Sequence, residues 1–170
     1  MPKGLKQSSS VVSIGFDVTE SGPNTFTQTQ VDLNLSPLDR EVFVVLAVNL
    51  DCEFPDAVAG LDTRVEGAMT TTSQTAMPTL SNANCLSTIK EAIRAGGFVD
   101  GGVSFTTAAL ETPPSTLEYI GIIATNDFFL QVEGNGNAGA KTLSGKVYGY
   151  RAIASADIYA ALVQSEVLSA

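Results

Sequence analysis

The sequence predicts an all-β fold: a single jelly-roll or β-sandwich of about eight antiparallel strands, with one short inserted helix and a C-terminal helix. Three observations predict it. Apolar and polar residues alternate over many short stretches, Gly, Pro, Asn and Ser clusters separate those stretches, and helical spacing is confined to two places. The 170 residues suffice for one domain, 1–170, and no repeat, charge block or low-complexity tract marks an internal boundary.

Residues 1–9 carry Lys3 and Lys6 ahead of any acid and read as an N-terminal arm that orders on a neighbouring subunit. Val12, Ile14, Phe16 and Val18 then alternate with Ser13, Gly15, Asp17 and Thr19, the period of a half-buried strand at 10–19. Turn residues at 21–24 lead to a second strand at 25–35, with Val31, Leu33 and Leu35 on one face, which Ser36 and Pro37 end. Residues 41–50 are apolar at both parities, as in a central strand covered on both faces.

Pro55 and several acids make 51–60 a loop, a weaker Thr-rich strand covers 62–72, and a Ser, Thr, Asn and Pro segment makes 71–84 a second long loop. Leu86, Ile89 and Ile93 follow i, i+3, i+7 spacing, with Asn84 as N-cap and Gly96 and Gly97 as C-cap, so the inserted helix is placed there. Four strands follow at 98–110, 117–125, 128–133 and 142–153. The terminal helix, within 155–170, has Ser155 as cap and Asp157 in its first turn. It sets Ile158 with Leu162, and Tyr159 with Val163 and Val167, on one face. Removing that helix is expected to leave a folded β domain.

Composition excludes more than it assigns. There is no histidine, which removes Ser-His-Asp, Cys-His and HExxH chemistry together with the commonest zinc ligand, and no tryptophan, the strongest sugar-stacking side chain. Nine Lys and Arg against eighteen Asp and Glu give a net charge of −9, so the folded body repels a phosphate backbone and no strong nucleic-acid binding is expected. The longest apolar run, 42–48, is far short of the roughly 20 residues that span a bilayer. The first ten residues lack the apolar segment of a secretory signal. Cys52 and Cys85 form no CxxC and read either as small buried hydrophobes or as partners in a mutual disulfide.

Four patterns bear on chemistry. Residues 134–139, GNGNAG, form a literal GxGxxG after a strand, but a β-like segment follows where a dinucleotide site needs a helix, so a hairpin tip holding no cofactor is predicted. Asp51, Glu53, Asp56 and Asp62 cluster around one loop without the spacing of a calcium loop, and read as solvated acids. Tyr119, Tyr148, Tyr150, Phe128 and Phe129 read as core or subunit packing rather than a sugar platform. A carboxylate pair for glycoside hydrolysis is not visible in sequence. No catalytic, cofactor-binding or metal-binding residue is assigned.

The segment FFLQVEGNGNAGAKTLSGKVYGYRAIASADIYAALVQSEVLSA has a Phe-rich strand, a Gly/Asn turn, a long strand ending VYGYRA and a short final helix. In this it resembles the end of a jelly-roll capsid (coat) protein of a tailless icosahedral virus of bacteria or archaea. The resemblance implies a structural role in the virion: copies of one subunit, with other virion proteins as partners, tile a shell assembled in the host cytoplasm. With no Arg-rich arm, a shell over an internal membrane or over other proteins suits the acidity better than direct genome packaging. A carbohydrate-binding or adhesin-like β-sandwich stays open as the alternative, as does a sandwich hydrolase acting through Asp and Glu.

Overall fold

Two antiparallel sheets enclose one apolar layer in the computed structural model, which describes residues 2–109 and 116–170. The strands among the described residues are β1 (Leu5–Gln7), β2 (Val12–Thr19), β3 (Thr27–Asp32), β4 (Glu41–Cys52), β5 (Thr63–Thr70), β6 (Cys85–Arg94), β7 (Val103–Ala109), β8 (Gly121–Ile123), β9 (Asp127–Asn135) and β10 (Thr142–Ala154). Helix α1 (Ala156–Leu168) follows. One sheet runs β1-β10-β4-β8, with β2 also pairing with β10, and the other runs β3-β9-β5-β6-β7. From β2 to β5, and again from β8 to β10, each connection carries the chain to the opposite sheet, the winding of a jelly roll. The all-β sandwich is therefore as the alternation predicts.

The alternation also sets the layer between the sheets. Ile14, Phe16 and Val18 of β2 face Phe128, Leu130 and Val132 of β9, and the rings of Phe16 and Phe128 meet edge to face with centroids 5.8 Å apart. Strand β4 is central, between β10 and β8, as predicted, and its two-sided apolar character has two physical causes. Phe43 and Val45 point into the layer, while Val42 and Val44 point outward into a second apolar cluster under α1 with Tyr150 and Ala152. Beyond them a β-bulge intervenes: Val45 pairs with Gly149 but Ala47 pairs with Tyr148, leaving Leu46 as the extra residue. The inward parity then shifts to Val48, Leu50 and Cys52. A Cβ on Gly149 would collide with the Val44 carbonyl oxygen and the Phe43 ring, which is why glycine stands at the bulge.

Several expectations are corrected. The inserted helix does not form; residues 85–94 are β6, paired with β5 and β7. Another bulge explains the misreading, because Ser87 pairs with Met69 and Cys85 with Thr70, so that Leu86 is extra and joins Ile89 in the core at three-residue spacing. A bulge followed by strand alternation reproduces i, i+3, i+7 without a helix. Asn84 caps nothing; it is buried, donating from Nδ2 to Thr72 Oγ1 at 3.0 Å and to the Glu166 carbonyl at 3.2 Å.

Within the segment read as an arm, residues 5–7 form β1 and pair with the end of β10 of the same chain. In α1, Ser155 stands at the N-cap by backbone geometry without a side-chain capping bond. The inward stripe of the helix is Ile158, Tyr159, Leu162 and Val163 with Glu166, whereas Val167 is 58% exposed. The predicted strand at 98–110 begins only at Val103, and its last residue lies outside the described residues. No helix among the described residues is long and apolar enough to cross a membrane.

Candidate functional site

The connections 20–26, 53–62, 95–102 and 136–141 gather at one end of the sandwich, and buried polar side chains tie them together. Glu20, directly after β2, is 4% exposed and accepts three backbone N–H groups: Gly134 at 2.7 Å and Thr25 at 2.9 Å on Oε1, and Lys141 at 2.8 Å on Oε2. One carboxylate thus holds the ends of β2, β9 and β10 in place, with charge-assisted bonds that are shorter and stronger than neutral ones. Asn137 does the same for the second layer of the cluster. Its Oδ1 accepts from Asp56 N at 2.9 Å, its Nδ2 donates to the Arg64 carbonyl at 2.9 Å, and its backbone exchanges two 2.8 Å bonds with the Asn24 side chain.

These contacts answer the question posed by GNGNAG. The segment is not a hairpin, since β9 and β10 lie in different sheets; it is the crossing between them. Gly136 takes φ +75°, where a side chain would be strained, and brings Asn137 inward as a buried strut.

The four acids do not form one cluster: Glu53 and Asp56 share one ammonium, while Asp51 and Asp62 stand apart. Asp51 sits on β4 opposite Ser144, on the outer face of its sheet. Asp56 pairs with the buried Lys141 Nζ at 2.7 Å and accepts from Ala138 N at 2.7 Å, and the bond to Lys141 holds its carboxyl below the usual range. Glu53 lies 3.8 Å from the same ammonium. Asp62 caps the turn after β6, accepting from Gly96 N at 2.8 Å and Ala95 N at 2.9 Å and pairing with Arg94 at 2.9 Å. The Gly96 bond leads the effects that lower its carboxyl. Among the described residues no three acids or thiols are grouped to hold a metal ion.

The aromatic residues are equally divided: Phe128 lies between the sheets, Tyr119 and Tyr150 lie against the α1 cluster, and Tyr148 lines a shallow groove on the outer face over β2, β10 and β4. Cys52 is buried in the core and Cys85 half-buried, both free. Burial is the main cause that pushes their thiols up to about 12 and about 11, so both stay protonated and unreactive at neutral pH.

What remains at this end is apolar and outward. Phe54 is 75% exposed and Val99 90% exposed, and Val58, Leu61 and Phe98 stand exposed beside them on the same two connections. The Asp62 bonds to Ala95 and Gly96 join those connections, so these side chains are presented by a fixed frame.

No protein-family model matches the sequence, and no curated protein matches it. A solved chain from Desmodium yellow mottle tymovirus is similar. The likeness has 15% identity and a TM-score of 0.32, over 92% of this chain and 95% of that one. It is to a tymovirus, not to a virus of bacteria or archaea, so it lends nothing to the host suggested by the C-terminal residues. At that TM-score it carries no inference about role, and the functional reading rests on the residues of this chain.

Sequence reading missed Glu20, Lys141 and Glu166, the buried charges that organise both ends. For Glu166 a signal exists, since it falls four residues after Leu162 and three after Val163 on the apolar stripe. At the far end of the sandwich another pair of acids meets: Asp32 and Asp127 lie opposite each other on β3 and β9, and Gln30 Nε2 bridges them at 3.1 and 2.6 Å. Burial first, then the Asp32 charge, raises the carboxyl of Asp127. The native chain therefore holds this proton more tightly than the unfolded chain, and the stability it contributes at low pH is lost as pH rises through the carboxylate range. D127N is expected to raise the thermal midpoint at neutral pH and flatten that slope. The gain, after solvent screening, is a few tenths of a kcal/mol, read by melts from pH 3 to about pH 7.

Proposed function

We propose that this chain is a viral coat subunit, a capsid protein that self-assembles into an icosahedral shell and acts by geometry, with no catalytic residue and no cofactor. The observation that carries the reading is the loop end described above. Phe54, Val58, Leu61, Phe98 and Val99 are held outward on two connections that Asn137, through Asp56 N, and Asp62, through Ala95 N and Gly96 N, tie to the frame. Apolar side chains fixed at one end of a sandwich suit burial against neighbouring subunits, where many modest contacts sum to a stable shell. The jelly roll supports such a role without assigning it, since the same winding also serves lectins and cupins.

In this reading the partners are copies of the same chain and other virion proteins, and its place is the virion. Light scattering and negative-stain microscopy of the purified chain test it: rings or shells are expected. The double change F54D and V99D should abolish them while altering unfolding stability by less than about 0.5 kcal/mol, as exposed substitutions do. A chain that stays monomeric at the highest attainable concentration overturns the reading.

A further inference from the structure

We propose that Leu38 of one copy seats in the apolar notch beside α1 of a second copy, a reciprocal contact between turns at the end of the sandwich opposite the loop cluster. The inference rests on the shell-subunit reading, for it takes the partner to be a second copy of this chain.

Leu38 is 94% exposed at the tip of the β3–β4 connection. The turn that carries it is stiff. Arg40 N donates to the Pro37 carbonyl at 3.1 Å and Glu41 N to the Ser36 carbonyl at 3.0 Å, Ser36 Oγ bonds Asp39 at 2.8 Å, and Arg40 holds φ +56°. Arg151 anchors the base, donating to Leu33 and Asn34 carbonyls and pairing with Glu41 at 3.1 Å. A leucine presented to water on a preorganised turn has had its ordering cost met before any partner arrives.

The same end carries a receptor for it. Leu35, Pro37, Ala124, Asn126, Tyr159 and Val163 line a mostly apolar notch of about 230 Å³, larger than a leucine side chain. The knob and the notch adjoin on one surface, so a twofold axis between two copies would seat each Leu38 in the other's notch, a closed isologous contact rather than an open chain.

Charge agrees with that pairing. Arg40, two residues from Leu38, has no ion-pair partner among the described residues, in a chain of net charge −9. Asp127 follows Asn126 of the notch and faces Asp32, two carboxylates that lie together and share only Gln30 Nε2. A partner's guanidinium brought there by the seated Leu38 would relieve their repulsion and gain complementarity that steers and registers the contact.

Sedimentation velocity on the full chain tests this with L38D, R40D and the double variant R40D/D127R. Because Leu38 and Arg40 are exposed, circular dichroism and thermal midpoints of L38D and R40D should match wild type, and circular dichroism of R40D/D127R should show the β fold retained. L38D is expected to weaken association at least tenfold, R40D to weaken it in a salt-dependent way, and R40D/D127R to recover it. Wild type and L38D associating alike would overturn this contact and leave the shell reading standing. A wild-type chain that never associates would overturn both, and failure of R40D/D127R to recover what R40D loses would overturn the charge pairing.

Discussion

Replacing Glu20 by alanine is expected to cost about 3–5 kcal/mol of unfolding free energy, among the largest effects available to a single residue outside the core. The side chain is buried, and it accepts the amides of Thr25 on the β2–β3 connection, Gly134 near the end of β9 and Lys141 just before β10. Alanine leaves those donors without a protein acceptor in a space too closed for easy hydration, and each such loss is worth about 1–3 kcal/mol. Glu20→Gln keeps the volume but turns an amide donor toward one of the N–H groups, so it should recover only part of the loss. Urea unfolding gives the magnitude, and hydrogen exchange gives the location, since the amides of Gly134 and Lys141 should lose protection ahead of β4. A change under about 1 kcal/mol would show that water replaces the carboxylate and that the loop end is not held by it.

The contrast between Glu20 and the core shows what one-dimensional pattern carries. Strand β2 was legible because Ile14, Phe16 and Val18 meet one environment at a fixed period of two, and β4 because both of its faces are covered. Where a bulge changes the period, as at Leu86, the same rule misassigns the element, since the extra residue is set by pairing with β5 and not by neighbours in sequence. The loop cluster was illegible for a related reason. Glu20 bonds residues 114 and 121 positions away, and Asn137 bonds Asp56 at 81, so no local spacing reveals either as a strut. GNGNAG was visible as a motif, and its context excluded a dinucleotide site, but its crossing between sheets depends on the order in which strands pair. The acids at 51–62 are neighbours in sequence, and in space only Glu53 and Asp56 stay together, at Lys141. Asp56 and Asp62 separate, because each turns to the nearest backbone amides and cation.

Deleting 156–170 is expected to unfold the domain or to lower its stability by more than about 5 kcal/mol, rather than to leave the intact β domain expected from the sequence. Helix α1 is the cover of the outer cluster: Val42, Val44, Ala152 and Ala154 are buried with it in place, and Ile158, Tyr159, Leu162 and Val163 pack against them. At about 25 cal/mol per Å² of apolar surface returned to water, uncovering such a patch consumes much of the net stability of a small domain. The helix also supplies a polar anchor, since Glu166 accepts from Ala124 N at 2.9 Å, Thr125 N at 3.3 Å and Thr125 Oγ1 at 2.7 Å, where β8 leads into β9. The two contributions separate by mutation. Glu166→Ala leaves the apolar cover in place and should cost about 2–4 kcal/mol with cooperative unfolding retained. The deletion should broaden or abolish the transition and bring strong binding of an apolar dye to the exposed face of β4 and β10. If the deleted chain melts cooperatively within about 1 kcal/mol of the full chain, the helix is an appendage available for exchange between subunits. If it collapses as expected, any loss of assembly on removing the helix reports the fold, and the assembly contacts must be sought instead at Leu38 and at the Phe54 and Val99 end, where substitution leaves the core untouched.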